Sequence, residues 1–140
     1  MRRTIRSKRL MKALQAARDL PGAELFTWIG ADGAPHSVGS SSLNAYLAEI
    51  GGDGAFTAKT FRTWAGTVEA FRHHRAHPEA GIGAMADAAA ERLANTPTVA
   101  RNSYIHPAVL DLAGNGTAPD LPPARAGLNQ HETALLEIIG

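Results

Sequence analysis

The residues of this chain that could do chemistry are a basic arm, a group of histidines and two tyrosines. Arg2, Arg3, Arg6, Lys8, Arg9 and Lys12 crowd positive charge into the start of a chain whose net charge is only +1. A basic arm of this kind suits phosphate backbones, and it equally suits a solvated helix face. His73 and His77 stand at i, i+4 with His74 between them. From one helix face that spacing could offer two nitrogens to a metal. No third carboxylate or histidine is anchored beside them by sequence, so a solvated, DNA-facing or merely polar helix end is the simpler reading and no metal is expected. Tyr46 and Tyr104 each carry a phenol. By residue type alone neither stands out, because an isolated tyrosine is more often a ring packed in a core.

The absences narrow the field. There is no cysteine, which removes disulfides, thiol nucleophiles and cysteine-ligated zinc. Neither a GxxxxGK motif followed by Ser or Thr nor a Gly-rich fingerprint after a strand is present, so nucleotide-driven chemistry has no support and no cofactor is expected. No apolar run reaches the roughly eighteen residues of a membrane span, and Met1 to Lys12 lacks the apolar stretch of a signal peptide. The expected location is the cytoplasm, with no membrane partner. Apolar residues make up 44% of the 140 and charged residues 19%, which suits one folded domain organised by one hydrophobic centre.

The elements that must position these side chains are mostly helices. Leu10, Leu14 and Ala17 share one helical face, and Leu20-Pro21-Gly22 breaks the pattern, which predicts a first helix over 7–18 with a basic exposed side. The segment 24–38 has aromatic and β-branched residues around Asp32-Gly33 and reads as a short β-hairpin or extended excursion. Ser40 or Ser41 can cap a second helix whose apolar stripe is Leu43, Tyr46, Leu47 and Ile50, ended by Gly51-Gly52. Thr57 offers the N-cap of a third, in which Phe61, Trp64, Ala65, Val68 and Phe71 keep the 3.6-residue period. A core of Phe61, Trp64 and Phe71 against Tyr46, Leu47 and Val109-Leu110 is expected, with Trp64 largely buried. A fourth helix is read over 84–93, a short one from Thr96-Pro97 to Tyr104, and another from Pro107 to Leu112. Residues 114–123 read as a linker, and Asn129 with Glu132 form a capping box for a last helix to Ile139. The sum is about six helices and little strand, a mainly α fold.

Three segments, in order and spacing, resemble the short type IB DNA topoisomerases of bacteria and their viral relatives. They are Asp19-Leu20-Pro21-Gly22-Ala23-Glu24-Leu25-Phe26, the block Phe56-Thr57-Ala58-Lys59-Thr60-Phe61-Arg62-Thr63-Trp64-Ala65-Gly66-Thr67, and Asn95-Thr96-Pro97 leading to Ser103-Tyr104-Ile105-His106-Pro107. The resemblance covers about 10–112. It implies the helical catalytic core shared by type IB topoisomerases and tyrosine recombinases, with 1–113 as part of that domain and 114–140 as linker and C-terminal helix.

The resemblance also implies a chemistry. A tyrosine hydroxyl attacks a DNA phosphodiester, leaving a 3′-phosphotyrosyl bond and a free 5′-hydroxyl, and the reverse step reseals the strand after rotation. Neither metal nor nucleotide takes part. Tyr104 stands at the nucleophile's place. A phenol of pKa near ~10 is a weak nucleophile at neutral pH, and the phosphate it attacks gathers further negative charge, so permanent positive charge must wait there. Arg62 matches the arginine that fills this role, its fork suited to two phosphoryl oxygens. Asn95 stands where viral and eukaryotic members carry histidine and bacterial ones asparagine. Read by itself, it is an ordinary helix C-cap. Lys59 resembles the supporting DNA-contact lysine, one turn before Arg62. The implied partner is duplex DNA, bound by a monomer associated with the nucleoid.

The match also has a gap. A second catalytic arginine, and a lysine on a β-hairpin that serves as general acid toward the leaving 5′-hydroxyl, belong upstream of Leu10, as does an N-terminal DNA-clamping domain. Arg2 to Arg9 do not sit in those motifs. Two alternatives therefore stand beside a topoisomerase. One is a truncated chain of that family that binds DNA without cleaving it. The other is a tyrosine recombinase, which would show histidine in place of Lys59 and a different surround to the tyrosine.

Overall fold

The computed structural model describes residues 4, 6–21, 24, 26–52, 56–117 and 119–140. Among them are seven helices and one two-stranded antiparallel sheet, so the mainly α expectation holds. The chain divides into two compact units, Met1–Ala58 and Lys59–Gly140.

In the first unit, helix α1 (Lys8–Arg18) starts where the Ser7 hydroxyl accepts a hydrogen bond from the Leu10 N–H. Such a cap satisfies one of the donors that a helix start leaves open. Arg2 and Arg3 of the basic arm, and Gly22, Ala23 and Leu25 of the segment after α1, lie outside the described residues. The expected hairpin forms from strands β1 (Thr27–Ile29) and β2 (Pro35–Ser37), with Trp28 opposite His36. Gly33 takes the left-handed turn position at φ +76°, which only glycine adopts without steric cost. The Asp32 carboxylate accepts from the Ala34 N–H and from the His36 ring, and these bonds hold its pKa below the usual value. Helix α2 (Ser40–Gly51) begins one residue earlier than a Ser40 cap would allow and two earlier than a Ser41 cap would. Its N-cap is Gly39, with no side-chain bond, so the serines lie inside the first turn and not before it.

The second unit contains α3 (Ala58–Ala76) from its second residue on, α4 (Ile82–Leu93), α5 (Pro97–Ser103), α6 (Pro107–Leu110) and α7 (Gln130–Ile139). Local signals set most of their ends. The Thr96 hydroxyl accepts from the Val99 N–H with Pro97 at the first helical position, and Asn129 and Glu132 form both arms of the capping box. Alanines let helices approach closely, and Ala70, Ala89 and Ala100 are fully buried beside Phe71, Met85, Val109 and Leu135. Trp64, Leu110 and Ile138 pack on that centre from its edge.

The structure corrects the expected core. Phe61 is 56% exposed and Tyr46 58% exposed, and α2 buries no residue. Burial along α3 begins at Gly66, so Phe61 lies a turn before the packed part of its own helix, and Trp64 is only half-buried at the rim. The stripe of α2 was legible as a helix face. Within its own unit, though, strands of three residues supply too little apolar area to cover it. Helix α6 also stops at Leu110, and turns carry the chain on to Ala113.

His131 on α7 meets the Phe71 ring edge-on, with centroids 6.3 Å apart. Burial, and then the charges of Arg72 and Arg75, lower its pKa. The unfolded chain therefore takes up a proton near the ordinary value of 6.5 that the folded chain resists, and stability falls as pH drops through that range. Above it this contribution vanishes. A urea-denaturation series between neutral and mildly acidic pH checks this: the fall should be smaller in His131→Gln. A second test addresses the core itself. Phe71→Ala should cost about 3–5 kcal/mol, while Tyr46→Ala should stay within about 0.5 kcal/mol. Equal losses in the two variants would place the core elsewhere.

Candidate active site

Lys59, Arg62 and Gly66 recur at i, i+3 and i+7 along α3 and therefore share one face. Lys59 is exposed near the start of the helix and Arg62 is half-buried. The Arg62 Nη2 donates to the Leu93 carbonyl at 3.3 Å, one of the acceptors left open at the end of α4. Arg62 Cζ lies 4.9 Å from the centroid of the Tyr104 ring. A guanidinium over an aromatic face is attracted by the ring quadrupole, by about 0.5–1 kcal/mol at an accessible site. The structure thus brings the two principal residues of the sequence motifs into direct contact, from helices well separated in the chain.

The nucleophile candidate is held through its backbone. Tyr104 is the C-cap of α5, at φ −136° and ψ 8°, and its N–H donates to the Ala100 carbonyl. Its own carbonyl rests against α3 at Gly66, where a Cβ would overlap that oxygen and come within 3.0 Å of Leu93 Cδ1. The next α3 residue supplies a second hold: the Thr67 hydroxyl accepts from the His106 N–H at 3.0 Å. Ile105, between the two contacts, is buried. His106 is the N-cap of α6 and its Nδ1 accepts from the Ala108 N–H. Neutral His106 therefore carries its proton on Nε2.

Asn95 lies close along the chain. The left-handed residue ending α4 is Ala94, at φ 54° and ψ 49°, and not Asn95, whose N–H reaches back to the Ala90 carbonyl at 2.9 Å. Alanine in that conformation costs roughly 1–2 kcal/mol, offset by this closing bond. The Asn95 Oδ1 accepts from the Thr96 N–H at 3.2 Å. With its oxygen engaged, the Nδ2 hydrogens are the part of the side chain free in kind to donate to an anion.

Within the histidine group, His74 departs from the expected polar helix end, while His77 is exposed and His73 half-buried. His74 is fully buried and its Nε2 donates to the Thr117 carbonyl at 2.9 Å. His73 and His77 place their rings 5.0 Å apart. Among the described residues no group of three or more His, Asp or Glu side chains could hold a metal ion.

Sequence reasoning gave no roles to Gly66, Thr67 or the Leu93 carbonyl. One signal was available: a glycine inside a strong helix sacrifices about 1 kcal/mol against alanine, so it marks a close approach. The Thr67 contact carried no local sign, since its partner lies 39 residues away.

The family profile for the catalytic core of eukaryotic DNA topoisomerase I matches residues 1–104, a stretch that includes Lys59, Arg62 and Asn95 and ends on Tyr104. No curated protein matches. No helix among the described residues is long and apolar enough to cross a membrane.

The Gly66 notch can be tested directly. Helix propensity alone would make Gly66→Ala stabilising by up to ~1 kcal/mol. A Cβ against a backbone carbonyl cannot be relieved by turning a side chain, so a net loss of about 1–3 kcal/mol in chemical denaturation is expected. Thr67→Val, which removes the acceptor of the His106 N–H, should cost a similar amount, and Thr67→Ser much less. A stabilised Gly66→Ala chain would mean that Tyr104 does not rest there.

Proposed function

Since the chain belongs to the family of the eukaryotic-type DNA topoisomerase I catalytic core, we propose that it takes part in type IB strand cleavage and religation with Tyr104 as the nucleophile. The observation that carries this reading is the Arg62 guanidinium lying over the Tyr104 ring.

In the proposed step the Tyr104 phenol oxygen attacks a DNA phosphorus and the bond from phosphorus to the 5′ oxygen breaks. The phenol proton passes to solvent, and the leaving oxygen takes up a proton to become a 5′-hydroxyl. One phosphodiester is exchanged for another, so the linkage is conserved and religation runs the same path backward. Arg62 exchanges its Leu93 and ring contacts for the non-bridging oxygens, where its fixed fork meets charge that grows in the transition state. Asn95 donates from Nδ2 to the same phosphate, and Lys59 steadies the backbone a turn away. In this reading the chain is a bacterial-type member that acts as a monomer on duplex DNA in the nucleoid.

No residue of these 140 matches the family's general-acid lysine or its second arginine. Proton delivery to a leaving group is worth typically ~10²–10⁴-fold, so cleavage of ordinary DNA by this chain is expected to be very slow. The same gap favours a second reading, a DNA-binding chain that does not cleave.

One substrate separates the two. A 5′-bridging phosphorothiolate leaves as a thiolate that needs no proton. Incubated with the 140-residue chain, it should trap a covalent adduct, seen as a shifted band on a denaturing gel. The adduct should be absent in Tyr104→Phe and reduced by about 10²–10³-fold in Arg62→Ala. Specific binding with no adduct would support the second reading, and an adduct surviving Tyr104→Phe would remove Tyr104 from the role.

A further inference from the structure

Residues 105–140 lie beyond the stretch matched to the family, yet they cover one side of α3. The first two turns of that helix carry Lys59 and Arg62, and they precede its first buried residue, Gly66. What holds these turns in place therefore decides where Arg62 points. Residues two apart on an α-helix face about 200° apart, so Trp64 points away from the side on which Arg62 meets Leu93 and Tyr104. On that far side the Trp64 Nε1–H donates to Glu132 Oε1 at 3.1 Å. The stripe continues through Val68 to Phe71, which takes the His131 ring edge-on. The first turn of α7 thus touches α3 at two levels about two helical turns apart, with Thr133, Ala134 and Leu135 buried behind it.

Glu132 is not a loose surface carboxylate. Its Oε2 accepts from the Asn129 N–H at 2.8 Å, and the Asn129 Oδ1 accepts from the Glu132 N–H at 3.0 Å. The capping box has already fixed its rotamer, so little side-chain entropy is left to lose in reaching the indole. A hydrogen bond to an ionised acceptor is also stronger than a neutral one.

We propose that Glu132 is a positioning residue for Arg62: through the Trp64 indole it sets the rotation of the first turns of α3, and with it the place of the guanidinium over Tyr104. The consequence for catalysis rests on the reading of Tyr104 and Arg62 given above. The placement itself does not. An arginine displaced by an ångström from the attacked phosphate loses much of its value, since small misplacements remote from the chemistry are costly in rate.

The test uses the 140-residue chain and two kinds of readout. In NMR spectra the Arg62 side-chain protons should be shifted upfield by the Tyr104 ring, and the Trp64 indole N–H downfield by Glu132, the second indole signal being assigned with Trp28→Phe. Trp64→Phe keeps the ring and the capping box but removes the donor. It should abolish the Arg62 shift, as should Glu132→Ala, while Glu132→Gln, which keeps an acceptor oxygen, should retain it. With the phosphorothiolate substrate, Trp64→Phe should slow adduct formation roughly ten-fold and Glu132→Gln should leave it near the parent rate. In an Arg62→Ala background Trp64→Phe should slow it no further. An Arg62 shift that survives Trp64→Phe overturns the proposal, as does an equal slowing in the Arg62→Ala background. If the parent chain forms no adduct, the reading of Tyr104 as nucleophile fails, and the Arg62 shift alone still decides whether Glu132 positions it.

Discussion

The Tyr104 carbonyl lies against helix α3 where Gly66 has no side chain, and the arrangement of the candidate site depends on this approach. Without it the corner between α5 and α6 could not come close enough for Thr67 to take the His106 N–H, nor for Arg62 to reach over the ring. The notch has a cost, because glycine weakens a helix interior through its backbone freedom. That cost is met by contacts beside it: Ile105 is driven into the apolar centre, and the His106 N–H finds the Thr67 hydroxyl.

The same logic extends to the end of α4. Its terminal carbonyls need donors, and a residue in the left-handed region must close the helix. Arg62 supplies one donor from α3 and the Asn95 N–H supplies another from the chain itself. Structural capping and candidate catalysis therefore use the same groups. An arginine that caps a helix end has one of its donors met by a neutral acceptor, and a phosphate would offer it a stronger one. The candidate site is ordered because its members complete each other's secondary structure.

The two units differ in what holds them. In Lys59–Gly140, small residues allow helices to close around Phe71, Met85 and Leu135, and the buried His74 Nε2 and Thr67 hydroxyl each have a partner. In Met1–Ala58, order among the described residues comes from individual hydrogen bonds: the Ser7 cap, the Asp32 bonds across the hairpin turn, and the Asn44 side chain accepting from the Ala58 N–H. A sequence period reports that a helix has an apolar face, but not whether anything lies against it. For that reason the period places Phe61 and Tyr46 in a core where the structure exposes them, and places Phe71 and Val109 in one where it buries them.

Several features decided within three or four residues were legible from the sequence by itself. The Thr96-Pro97 start, the Asn129 and Glu132 box and the Asp32-Gly33 turn each satisfy backbone groups a turn away, so their chemistry is written locally. The family motifs marked Lys59, Arg62, Asn95 and Tyr104 for the same reason, as residue types in fixed order. Their contacts were not legible. Arg62 meets a carbonyl 31 residues on, Thr67 an amide 39 residues on, and Trp64 a carboxylate 68 residues on. Such pairs exist only once close packing has selected which faces meet, and that selection depends on volumes and approaches summed over the whole unit, which no local pattern encodes.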